Sequence, residues 1–206
     1  MKIGIVACKM MVREIEIALK KFPEIDEVVF LKEGEHINPE RLQKQVLAHL
    51  KAMSKKVDVI FLGYGHCHSL KGIGDEIDIP VVHPEADDCI GIMMTPQRYK
   101  DEVDKVPGTF FFTPGWATNM KKMMNSEEAK SFETPEKGLF PDYSRGLYID
   151  TGIENNEHYV KLASELCETL NFKLEQTVTH STILHDSLAK CVEIAKKLEA
   201  TSKSVR

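Results

Sequence analysis

Val57-Asp58-Val59-Ile60-Phe61-Leu62-Gly63, running into Tyr64-Gly65-His66-Cys67-His68-Ser69, decides the fold. Its first seven residues are a short apolar run, rich in β-branched side chains and closed by glycine. A half-exposed strand would alternate apolar with polar residues; a continuous run marks a strand covered on both faces, as in a parallel sheet. Toward the N-terminus, Lys2 to Cys8 repeats the pattern, so a second buried strand opens the chain. Between the two, Met11 to Phe22 sets Ile15, Ala18, Leu19 and Phe22 on one helical face and Arg13, Glu16 and Lys20 on the other, with Pro23 closing the helix. Glu27 to Leu31 reads as a short strand. Asn38-Pro39-Glu40 then supplies a cap, a first-turn proline and a first-turn acid for a helix that carries Leu42, Val46, Leu50 and Met53 and runs to about Lys55.

Toward the C-terminus, Ile79 to His83 is the next strand, and both it and the quoted run read as central. Thr95-Pro96 opens a helix, and Thr109-Phe110-Phe111-Phe112 is a strand ended by Pro114-Gly115. Strand and helix thus alternate to about residue 113, which predicts an α/β fold: a parallel sheet with helices on both faces, joined by right-handed crossovers. From Trp116 to Arg145 the pattern weakens, with Met120, Met123 and Met124 on a short helix, then a polar stretch holding Pro135, Gly138 and Pro141 that suits a lid or an inter-lobe connection. Leu147 to Asp150 and Phe172 to Val178 read as strands, His158 to Leu170 and Ser187 to Ala200 as helices. The expected organisation is an α/β domain over residues 1–120 and a C-terminal α/β extension over 121–206 packed on it, the two forming one continuous domain in the alternative.

With 206 residues, 42% of them hydrophobic and 29% charged, the chain has the composition of an ordinary globular protein with a real core. A net charge of −5 with scattered lysines argues against nucleic acid, whose phosphates call for a basic stripe. No apolar stretch approaches the roughly 20 residues of a membrane span, and the short apolar start is followed at once by charge, unlike a signal peptide. The expectation is a cytoplasmic protein with no membrane contact. In that reducing compartment five cysteines point to core thiols, ligands or nucleophiles rather than disulfides.

The cysteines divide by position. Cys167 and Cys191 fall inside amphipathic helices and are assigned to packing. Cys8, Cys67 and Cys89 each follow a predicted buried strand, so they belong to the carboxyl edge of the sheet, where parallel-sheet proteins bind ligands. A lone cysteine there reads as a buried thiol. Three thiolates gathered at one edge repel unless a metal or redox partner holds them, which points to a zinc or iron–sulfur centre. His66, His68, His83 and Asp88 compete as fourth ligand or support the ligands from behind, while Asp87 is read as a helix cap. Glu14, Tyr64 and Trp116 are candidates for lining a substrate pocket. Cys67 beside His66 or His68 also fits a metal-free nucleophile with an imidazole base. Gly63-Tyr64-Gly65 and Gly72-Ile73-Gly74 lack the full dinucleotide fingerprint, and no P-loop is present.

Ala7-Cys8, Gly63-Tyr64-Gly65 with Cys67, His83, Asp88-Cys89-Ile90, Pro107-Gly108-Thr109 and Thr113-Pro114-Gly115-Trp116 together resemble the motif series of an archaeal and bacterial domain-of-unknown-function family. Its members often stand beside corrinoid-dependent methyltransferases in methanogens and acetogens. The resemblance covers residues 1 to about 120 and implies a role in corrinoid-linked one-carbon or methyl transfer, as a metal-dependent methyltransferase or an accessory factor, with the corrinoid carried by a partner protein. A small molecule or a corrinoid protein is the implied partner, and a homo-oligomer is left open. A protein delivering a metal or metallo-cofactor without catalysis is the alternative. In two details the chain departs from the family's pattern: His68 stands where a glycine is common, and His83 lies farther from the Asp-Cys pair. The three cysteines map cleanly.

Overall fold

The computed structural model describes residues 1–32, 38–66, 70–124, 140 and 142–204. The fold is α/β, with two parallel sheets and, among the described residues, seven α-helices flanking them. The first sheet has the order β2-β1-β3-β4, from β1 (Ile3–Cys8), β2 (Ile25–Leu31), β3 (Val59–Gly63) and β4 (Val81–Val82). β1 and β3 are its central pair, with Ile5 opposite Phe61, whereas β4 is a two-residue edge rather than a central strand.

The unbroken apolar runs follow from burial on both faces. Ile3, Ile5 and Ala7 of β1 and Val59 and Phe61 of β3 pack on Ile15 and Ala18 of α1 (Val12–Leu19). The alternate residues Val6, Cys8, Ile60 and Leu62 pack on Leu42, Val46, Leu50 and Met53 of α2 (Pro39–Met53), whose N-terminus Asn38 caps by accepting from the Arg41 amide at 3.0 Å.

α3 (Cys89–Met94) and α4 (Pro96–Lys105) connect the sheets. β5 (Thr109–Phe112) does not continue the first sheet, as the alternation had predicted; it pairs with β6 (Arg145–Asp150), and β6 with β7 (Lys173–Val178). Phe112 and Tyr148 face α5 (Pro114–Met124) and α6 (Asn156–Leu170), while Phe111, Leu147 and Ile149 face Ile90, Met94 and Val103 from α3 and α4. Two flanking helices begin earlier than the hydrophobic pattern indicates. α5 starts at Pro114, read from sequence as the turn that ends a strand, and α7 spans Thr182–Ser204. α7 returns to the first sheet, where Leu184, Leu188 and Cys191 are fully buried against β1 and β3. Cys167 is buried beneath β6 with its sulfur against Gly146, so both helical cysteines are core residues. Among the described residues no helix is long and apolar enough to cross a membrane.

Candidate functional site

The strand ends of the first sheet and the start of α5 converge because two glycines permit backbone-on-backbone contact. A Cβ on Gly65 would overlap the Asp88 backbone, and one on Gly115 would overlap the Met10 carbonyl. The first contact lays the loop after β3 on the loop after β4. It is reinforced by the His66 amide, which donates to the Ala86 carbonyl at 2.6 Å. The second brings Trp116 onto the turn that follows Cys8.

Cys8 is the last residue of β1 and is buried on the α2 face; Cys89 is the first residue of α3 and is half-buried. Their sulfurs are close enough that charge on Cys8 raises the pKa of Cys89. Burial is the larger cause of that rise, the Asp88 carboxylate adds to it, and the Trp116 indole, hydrogen-bonding to the sulfur, opposes it. The Cys89 thiol is therefore protonated near neutral pH when nothing cationic is bound. Cys67 and His68 lie outside the described residues. Among the described residues no group of three or more His, Cys, Asp or Glu side chains is arranged to hold a metal ion.

His83 is half-buried, and its ring stacks on that of exposed His66 with centroids 3.8 Å apart and planes 19° from parallel. Burial first, then the His66 charge, pull its pKa down to about 4, so it is neutral near pH 7. Its Nε2 lies 3.1 Å from the Gly65 carbonyl. A carbonyl only accepts, so Nε2 carries the proton and Nδ1 holds the lone pair.

Asp88, not Asp87, is the N-cap of α3. Its Oδ1 accepts from the Gly91 amide at 2.8 Å, the spacing at which a short carboxylate reaches back to an orphan N–H. Tyr99 on α4 hydrogen-bonds the same carboxylate, and burial with that neighbouring charge raises the phenol's pKa. Sequence reading passed over Tyr99, because nothing local marks a helix residue that reaches a neighbouring helix's cap.

Tyr64 is buried beyond β3, and Trp116 is half-buried where the apolar clusters of both sheets meet. The Phe110 ring stands edge-on to the indole at 5.7 Å. Glu14 is buried in the first turn of α1 and accepts from Thr151 Oγ1 at 2.9 Å, so its described partner lies on the second sheet's side of the molecule.

A family model described as "Protein of unknown function (DUF1638)" matches residues 30–188. The chain belongs to that family. The DUF1638 match runs from β2 into α7, so it takes in strands of both sheets, Cys67, Cys89 and Trp116, and leaves β1 with Cys8 and α1 with Glu14 outside it. No curated protein matches the sequence.

Proposed function

We propose that this protein holds a metal centre, zinc or an iron–sulfur cluster, through Cys8, Cys67 and Cys89, and that the centre serves corrinoid-linked methyl transfer. The observation that carries the reading is the meeting of Cys8, at the end of β1, with Cys89, at the start of α3, where burial and the neighbouring Cys8 and Asp88 disfavour the Cys89 thiolate. A bound cation removes these penalties at once, and thiolates select zinc or iron–sulfur clusters. Cys67, next in the chain after His66, is the third ligand. His83, with its Nε2 oriented by the Gly65 carbonyl, stands behind the ligands rather than among them, since among the described residues Cys8, Cys89 and His83 are not arranged about one point. Asp88 is committed to Gly91 and Tyr99 and so orients Cys89 rather than binding metal. A metal bound there would hold a cysteine sulfur as thiolate at neutral pH and supply an electrophilic position for a substrate thiol or methyl donor. Trp116 and Tyr64 cover the site and limit water.

The corrinoid assignment rests on the motif resemblance, and it makes a corrinoid protein the partner and the cytoplasm the compartment. Burial pushes the Cys89 thiol away from ionisation, so the metal-free alternative rests on Cys67 with His66 or His68, and alkylation of that one thiol would then abolish activity while Cys8 and Cys89 are dispensable. Anaerobically purified protein should carry stoichiometric zinc, or iron with visible absorption. C8S and C89S should each lower metal content several-fold, while C167S and C191S keep it. Absence of metal from protein prepared both with and without air, or full loading of C8S and C89S, would sink the reading. Metal loading without methyl transfer from methylcobalamin to a thiol would reduce it to metal delivery.

A further inference from the structure

Glu14 is 4% exposed, and its carboxyl spans the junction between α1, which packs on the first sheet, and the turn after β6 of the second. Oε1 accepts from Thr151, whereas Oε2 is buried and has no hydrogen-bond partner. Charge on a carboxylate so placed is kept from water, with only Glu14's own amide, Thr151 and the exposed Arg13 to offset it; the neutral acid bears a much smaller penalty. Two further ties cross the same junction, Arg13 of α1 to Tyr159 of α6 and Lys20, just past the end of α1, to Glu154 at 3.9 Å, and both are made by exposed residues. Glu14 is thus the buried member of this contact.

We propose that Glu14 is a proton-binding latch between the two lobes: proton uptake closes α1 onto the Thr151 turn, and proton release loosens that contact. The proposal does not depend on the metal reading. Burial raises the carboxyl's pKa most; against it Glu14's own backbone amide and the Thr151 hydroxyl lower it by donating, Arg13 on α1 lowers it by charge, and Glu16 raises it. Tyr148 and Asp150 stand on β6, with the Tyr148 phenol donating to Asn156 Oδ1 at 2.6 Å and Asn156 Nδ2 donating to Asp150 at 2.9 Å. On α7, His185 and Asp186 face Lys21 farther along the chain from α1. Burial outweighs the rest and holds Glu14 at about 7 against an ordinary 4.5. The closed state therefore binds the proton more tightly than the open one. The latch contributes fully below about pH 4.5, weakens as pH rises, and is lost above about pH 7.

Hydrogen exchange of the backbone amides at 150–156, corrected for intrinsic rates, tests this on the whole chain. Exchange should rise by up to about tenfold per pH unit between pH 5 and pH 7 and then level off, and E14Q, which keeps an acceptor for Thr151 without the proton, should remove that dependence. In carbon-13 spectra the Glu14 carboxyl should titrate near neutrality, and T151V should move its midpoint upward by removing the donor. A midpoint near 4.5 in the folded protein, or the same pH dependence in E14Q, would overturn the latch. Should E14Q fail to fold, the T151V titration decides: a midpoint that stays put or falls overturns the proposal.

Discussion

The residues at the candidate site divide into those whose chemistry is local and those whose role depends on a neighbour far along the chain. Cys8 could be separated from Cys167 and Cys191 by position alone, because a strand end and a helix interior leave different marks on the flanking residues, whereas Cys89, read as following a strand, opens α3. Gly65 was legible only as a loop glycine. In the structure it is the place where the β3 loop lies on the Asp88 backbone. Gly65→Ala should therefore part the two loops and destabilise the protein by about 1–3 kcal/mol, as overpacking does. A urea midpoint shifted in that direction, with loss of bound metal, is the expected result; an unchanged midpoint would mean that the loops yield without cost. Tyr99 and Thr151 left no sequence signal, since each acts on a group that only the fold brings near: the Asp88 cap for one, the Glu14 carboxyl for the other.

At the scale of elements, caps and prolines read well where they are local. Asn38-Pro39 opens α2 and Thr95-Pro96 opens α4 as their residue types demand. The same proline logic applies to Pro114, but the preceding Phe110-Phe111-Phe112 run made it look like the end of a strand and nothing more. Choosing Asp88 over Asp87 as the cap of α3 turned on a single residue, and only the Gly91 contact decides it. Asp88→Ala should weaken α3 by about 1 kcal/mol and leave Tyr99 without its acceptor, whereas Asp88→Asn should retain most of the cap. Thermal unfolding of the two variants compares them, and equal losses would mean that the carboxylate's charge, not its cap, is what matters. Arg145 shows the limit of periodicity. It is the first residue of β6 and is buried, a position normally apolar, and is tolerated because Glu102 at 2.8 Å, Glu175 at 3.3 Å and Thr109 at 2.8 Å surround its guanidinium.

Over the whole molecule, the last helix binds the two halves together. α7 follows β7 of the second sheet yet buries Leu184, Leu188, Cys191, Val192 and Ala195 in the core of the first. Each buried leucine is worth roughly 1.5–3 kcal/mol, against a total stability of about 5–15 kcal/mol for a typical domain. A chain ending after Ser181 should therefore show no cooperative unfolding transition by circular dichroism; a sharp transition would mean that the first sheet stands without α7. The amino-acid sequence by itself determined the α/β class, the buried strands β1 and β3, most helix positions and the place of Cys8 at the end of a buried strand. Those features follow from periodicity, capping and burial patterns within a few residues of each position. The tertiary structure decided that β5 leaves the first sheet to pair with β6, that α7 crosses back, and that Cys8 meets Cys89 while Glu14 meets Thr151. Parallel pairing leaves no local trace of which strand a neighbour will be, and contacts across a junction depend on how two finished lobes close on each other.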